Sequence, residues 1–180
     1  MKVSTKAMVY IALIAAVYVT ITSMQLGIGF GAVQVRVAES LNLLAFFNPI
    51  FLPAVALGVF ITNLLWSPFG LVDVGLGTLA TVIAILLVMA TKKATKTWLK
   101  PEIGLAVAAI WPVLINALII PVVIIYGGGG WEGGFSWAAF WGLAWSVGLG
   151  QFIAVILLGY TLFLVLMRKF PHFITRIKNL

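Results

Sequence analysis

The chain has 180 residues, 63% of them hydrophobic and only 8% charged, with a mean hydropathy of +1.21; a water-soluble domain carries roughly 25% charged residues, so that class is excluded. A net charge of +7 would suit nucleic acid only on a solvated face, and here the cations sit between apolar runs, so no nucleic-acid partner is expected. The absence of cysteine removes disulfides, thiolate metal sites and cysteine nucleophiles.

Several apolar runs approach the ~20 residues that cross a bilayer as a helix, and none alternates with period two, which predicts an all-α membrane protein rather than a barrel. The first predicted helix covers 5–23, behind Lys2 and Lys6. Its apolar core is too long for a signal peptide, and no small-x-small cleavage site leads into soluble sequence, so a retained helix is expected. Ala12 and Ala16 form a small-xxx-small pair on it, which serves either packing inside the bundle or docking of a partner helix. The glycine-rich LGIGFGAVQV then ends the helix.

The 30 residues from Arg36 to Leu65 are long for one crossing and short for two, with Asn48-Pro49 and Pro53 in the middle. Charge decides between them. With two crossings (36–47 and 50–65), Lys2, Lys6, the four lysines of KKATKTWLKPE and the basic tail share one side, leaving Arg36 as the one cation of eleven on the other. One crossing would separate the lysine groups and break the positive-inside bias. Further helices are predicted at 73–91, 103–125 and 135–167, giving a six-transmembrane-helix bundle in a single domain, 1–180, with the N-terminus and C-terminus cytoplasmic. The last segment has 33 residues, roughly 50 Å as one helix, so its first dozen are expected at the outer interface or in a cap. There Trp137, Trp141 and Trp145 share one face, as an aromatic belt or a stacking surface.

An ionised side chain at the centre of a span costs on the order of 2.5 to 3.5 kcal/mol, so those present need partners, solvent or a task. Arg36 and Glu39 are three apart and within pairing range, as a structural ion pair or as binding groups. Asp73 follows the turn WSPFG and is placed to cap the helix that begins there, while still able to face a cavity. Asn42, Asn63, Asn116 and Gln151 can each satisfy a neighbouring helix; together, in the outer halves of different helices, they read as the lining of one pocket. Trp131 and Glu132 tip the loop GGGGWEGG, which suits a lid or an ordinary interfacial anchor. No HExxH, GxSxG or Walker motif is present, so neither hydrolytic chemistry nor ATP hydrolysis by this chain is expected.

This pattern resembles the substrate-binding S-components of energy-coupling-factor (ECF) transporters: about 180 residues, six helices and an Ala12-xxx-Ala16 motif on the first. Within that group VRVAESLNLLAFF, NPIFLPAVALGVFITNLL and FGLVDVGLGTLATVIA resemble the QueT-like queuosine-precursor family, with Arg36-x-x-Glu39 and Asp73-x-Gly75-x-Gly77-Thr78 as its signatures. The resemblance implies uptake of a 7-deazaguanine such as queuine or its aminomethyl precursor, across a bacterial cell membrane. It implies a transmembrane coupling subunit docked on the first helix and two cytoplasmic ATPases that hydrolyse the ATP, with no cofactor on this chain. Glu39 or Asp73 would accept the two adjacent donors of the guanine-like edge, and Arg36, Asn63, Asn116 or Gln151 would donate to its carbonyl. Trp66, Tyr126 or Trp131 would stack on its face. An S-component for another vitamin, a stand-alone facilitator and a ligand-free structural protein are the alternatives.

Overall fold

A computed structural model describes residues 5–29, 34–128, 135–178 and 180; among them every regular element is helical. Helix α1 (Thr5–Ser23) is followed by the short α2 (Leu26–Gly29), a 3-10 helix (Val37–Phe46) and α3 (Phe51–Trp66). Then come α4 (Gly70–Thr95), α5 (Pro101–Gly127), α6 (Trp137–Lys169) and the tail helix α7 (Pro171–Lys178). A helical element overlaps each predicted segment, the one at 36–47 being 3-10 rather than α-helical.

Among the described residues four helices, α1, α4, α5 and α6, are long and apolar enough to cross a membrane. The other two predicted spans are shorter. At 1.5 Å per residue the 16 residues of α3 reach about 24 Å, and at 2.0 Å per residue the ten of the 3-10 helix reach about 20 Å, against a hydrocarbon core of about 30 Å.

The 3-10 helix is the axis of the bundle: it packs against α1, α3, α4, α5 and α6, and eight of its ten residues are buried. That explains why the segment predicted at 36–47 can depart from α-helical geometry. A weaker hydrogen-bond ladder is tolerable at membrane depth where protein, not lipid, surrounds the backbone. Its small residues let neighbours close in. A Cβ added at Gly159 of α6 would lie 2.9 Å from Ser40 Cβ, and one at Gly150 would run into the Gln34 carbonyl, so α6 lies against this segment at two glycines. Likewise Gly58 of α3 admits Tyr18 of α1, with 2.7 Å from an added Cβ to Tyr18 Cβ. Gly150→Ala is expected to cost about 1 to 3 kcal/mol, because the obstacle is backbone that cannot rotate away. Gly142→Ala, with open space around it, should cost far less. Denaturant-dependent unfolding of the two variants in detergent checks this.

Helices α4 and α5 run antiparallel, with Thr95 beside Gly104, Trp111 Nε1 donating to Thr91 Oγ1 at 2.8 Å, and Phe69 against Gly127. Asp73 and Lys92 on α4 are therefore about 28 Å apart along the helix, close to the thickness of a hydrocarbon core. The 3-10 helix runs along much of the same interval. Residues at its start meet Asn63 and Asp73, and Phe47 just past its end accepts from Lys92 Nζ at 2.8 Å. The bundle thus has a lysine-rich end and, at the opposite end, a buried polar layer.

Both α4 and α6 contain a π-helical stretch, at Asp73–Gly77 and Phe152–Tyr160. Such stretches are rare and concentrate at functional sites. One contains Asp73 and the other begins immediately after Gln151. The 33-residue α6 is one continuous helix, and Trp137, Trp141 and Trp145 are exposed on its outer side, facing away from the bundle.

Candidate functional site

The polar layer is assembled by three segments. Arg36, at the entry of the 3-10 helix, donates from Nη1 to Asn63 Oδ1 of α3 at 3.1 Å and pairs through Nη2 with Asp73 Oδ2 of α4 at 3.6 Å. Asn63 Nδ2 donates in turn to the Asp73 backbone carbonyl at 3.1 Å and to Asp73 Oδ1 at 3.3 Å. Ser67 Oγ, at the end of α3, donates to Asp73 Oδ2 at 2.6 Å. All but Ser67 are almost fully buried, with Asp73 1% exposed and Arg36 6%. The anticipated cap is replaced: α4 begins three residues earlier, at Gly70, and Asp73 lies inside it with its carboxylate turned to the Arg36 side. Gly77 leaves room for this, since a Cβ there would collide with Asp73 Oδ1 and approach Asn63 Nδ2.

Glu39 is the second carboxylate, 2% exposed. It accepts from Tyr18 Oη of α1 at 2.6 Å and from Asn42 Nδ2, one 3-10 turn further on, at 2.7 Å. The i, i+3 spacing eclipses side chains in a 3-10 helix, which stacks Asn42 under Glu39. The pairing range expected for Arg36 and Glu39 is therefore used differently from a simple ion pair, since the guanidinium reaches across to α3 and α4 while the carboxylate is held by α1 and Asn42.

Among the described residues, four buried side-chain polar atoms have no hydrogen-bond partner: Asn42 Oδ1, Thr78 Oγ1, Asn116 Nδ2 and Gln151 Oε1. Each such atom costs roughly 1 to 3 kcal/mol while unpaired, so four in one small bundle call for an explanation. Three of them can be placed by helix register, while Asn42 lies further along the bundle, beyond the point where Gly159 meets Ser40. Thr78 follows the Asp73–Gly77 π-turn, and the α4–α5 register puts Asn116 within about a turn of it. Gly148 of α6 meets Ala117, the neighbour of Asn116, and Gly150, next to Gln151, abuts the chain two residues before Arg36.

Of the residues singled out from sequence, Arg36, Asn63 and Asp73 form one network and Glu39 with Asn42 a second beside it. Asn116 and Gln151 are buried on α5 and α6 and, among the described residues, hydrogen-bond to neither network. Trp66 is half-buried at the end of α3, and Tyr126 is 40% exposed near the end of α5, so both stand at the rim. Trp131 and Glu132 fall outside the described residues. Ala12 and Ala16 are exposed on α1, beside Met8, Leu13 and Val17, so their face is turned away from the bundle. Sequence reasoning missed Tyr18, Ser67 and Thr78; α1 also carries Tyr10, so nothing in the sequence sets Tyr18 apart.

With this geometry in hand, similarity to known proteins is decisive. The QueT transporter family matches residues 8–168. The chain belongs to the QueT transporter family. The match takes in every described residue of the polar layer. A protein of Lactococcus lactis subsp. cremoris (strain MG1363) named "Queuosine precursor transporter QueT" is 43% identical over 84 residues, which are 46% of this chain and 48% of that protein. The chain thus matches about half the length of that curated relative. No solved structure matches. The chain combines membership of a transporter family with several membrane-length helices among its described residues, as a multi-pass membrane protein has.

Proposed function

We propose that the protein is the substrate-capturing S-component of an ECF-type importer and that its polar layer binds a queuosine precursor, a 7-deazaguanine such as queuine or its aminomethyl precursor. The observation that carries this reading is the set of four unpaired buried atoms beside two buried carboxylates. A guanine-like ring supplies what the set lacks. Its amino and ring N–H groups donate side by side to a carboxylate, and its carbonyl takes a donor such as Asn116 Nδ2. Glu39 accepts two donors in this structure and retains lone pairs for more. Asp73 already serves Arg36, Ser67 and Asn63, so Glu39 is the better anchor and Asp73 the group that orients Arg36. In this reading Trp66 and Tyr126, at the ends of α3 and α5, are the aromatic groups available to stack on the ring. The printed name of the Lactococcus lactis relative supports the same substrate class.

In this reading the lysine-rich end is cytoplasmic with both termini, the polar layer opens to the outside, and α3 and the 3-10 helix are the two short members of six crossings. The outward, small-residue face of α1 then receives a transmembrane coupling subunit, while two cytoplasmic ATPases hydrolyse ATP. Enlarging Ala12 and Ala16 to leucine is expected to leave ligand binding unchanged and to abolish uptake in cells expressing the coupling subunits, because both side chains are exposed and make no part of the core. Uptake undiminished by that double substitution, or persisting in cells without coupling subunits, would point to a stand-alone facilitator.

The deciding experiment is calorimetric titration of the purified protein with queuine and the aminomethyl precursor, with guanine and an unrelated vitamin as controls. Saturable binding at micromolar concentration or tighter, weakened by Glu39→Gln, is the expected result. No binding of either 7-deazaguanine at that concentration would remove the substrate assignment.

A further inference from the structure

The lysine-rich end carries a feature that substrate capture does not use. Two clefts, about 180 and 290 Å³, lie side by side there and share Lys92 and Lys96 as a common wall. Lys178 lines the smaller and Lys93 the larger, so four ammonium groups surround the pair, and no acid lines either one. The rest of each lining is mainly apolar: Phe46, Leu99 and Pro101 in one, Ala45, Pro49 and Met89 in the other.

The cluster is built into the fold. Lys92 is fixed by donation to the Phe47 carbonyl, and the end of α7, which carries Lys178, is tied down by Asn48 Nδ2 donating to the Ile177 carbonyl at 3.1 Å and the Lys178 carbonyl at 3.3 Å. Met89, Lys92 and Lys96 follow one another at i, i+3 and i+7, so one face of α4 passes from apolar to cationic just where the span ends at Thr95. Trp98, 70% exposed, sits one turn beyond. A tryptophan next to lysines at the end of a span marks the headgroup level of a bilayer.

We propose that these paired clefts are a binding site for anionic phospholipid, with the phosphates between the lysines and the acyl chains running down the apolar walls onto α4. A site of two clefts sharing two lysines suits a lipid with two phosphates, so cardiolipin is expected to bind more tightly than phosphatidylglycerol, and both more tightly than zwitterionic phosphatidylcholine. The apolar half of each lining favours a lipid over free phosphate, which would leave that surface uncovered. Occupancy would also bridge α4 to α7 and stabilise the otherwise exposed tail helix against the bundle.

The test is native mass spectrometry of the full chain in detergent, titrated with cardiolipin, phosphatidylglycerol, phosphatidylcholine or inorganic phosphate. Expected is retention of cardiolipin that millimolar phosphate does not displace, with apparent affinity falling about five-fold for each lysine removed. Lys93→Gln with Lys96→Gln alters two exposed side chains and leaves the Lys92 tether intact; Lys93→Arg with Lys96→Arg should retain the lipid. Arg168→Gln with Lys169→Gln removes the same charge from α6, outside both linings, and should have little effect. Equal losses in the α4 and α6 glutamine variants would mean unspecific attraction and overturn the proposal. So would displacement by phosphate, or α4 glutamine variants that keep cardiolipin yet fail to assemble with coupling subunits, which would make the patch a protein-docking surface.

Discussion

Asp73→Asn is expected to be the most damaging single substitution in the protein. It removes the Asp73 charge from beside the buried Arg36 guanidinium, and breaking a buried pair from one side costs about 3 to 5 kcal/mol. The neutral amide also cannot accept from both Ser67 Oγ and Asn63 Nδ2 as the carboxylate does. The unfolding midpoint should drop steeply and binding of a 7-deazaguanine should become undetectable. Arg36→Met combined with Asp73→Leu separates the two consequences. Replacing both charges by apolar groups of similar size is often neutral for stability, so this double variant should recover most of the lost stability while still failing to bind. Recovery of binding along with stability would show the pair to be scaffold only, with Glu39 sufficient for the ligand.

Glu39→Gln should do the reverse, keeping the fold and losing the ligand. The substitution is isosteric: Asn42 Nδ2 can still donate to the amide oxygen, and the Tyr18 hydroxyl, which faces the other position, can turn to accept from the new NH₂, so the unfolding midpoint should move little. A ligand that donates two N–H groups to a carboxylate instead meets an amide whose NH₂ opposes one of them. Charge-assisted hydrogen bonds contribute about 1.5 to 3 kcal/mol each, so affinity should fall by about 100-fold or more, the equivalent of about 2.8 kcal/mol. Tyr18→Phe removes the 2.6 Å donor to the same carboxylate and should change affinity by a smaller factor. In a double-mutant cycle the Tyr18 effect should disappear once Glu39 is glutamine, since the phenol acts on the ligand through that carboxylate. Additive losses would mean that Tyr18 touches the ligand directly or merely supports α1.

The residues of the polar layer were legible before any coordinates because charge and amide groups are costly in hydrocarbon, so each one in an apolar background is conspicuous. Arg36, Glu39, Asn63 and Asp73 were found in this way, and the tertiary structure does bring them to one end of the bundle. Their partners were not legible. Arg36 and Glu39 are near neighbours in sequence, yet the guanidinium turns to residues 27 and 37 positions away, because the 3-10 helix sits at the centre with α3 and α4 on its flank. Nothing in the sequence distinguishes Tyr18 from Tyr10 in the same helix; only the close approach of α1 to α3 at Gly58 brings it to Glu39. Thr78 was quoted within a signature but given no task, since whether a hydroxyl is satisfied depends on what surrounds it.

By itself the amino-acid sequence determined that this protein lives in a membrane, that its chain forms helices at the places where they occur, and that lysines gather at one end and hydrophilic groups at the other. Those properties follow from the solvation cost of each residue and from local backbone preference, both of which are written residue by residue. Which segment lies at the centre, that it winds as a 3-10 helix, that α4 and α6 open into π-turns beside Asp73 and Gln151, and which polar atoms stay unpaired were decided only by tertiary packing. Each depends on how closely distant helices approach, a distance set jointly by side chains from several elements and therefore absent from any one stretch of sequence.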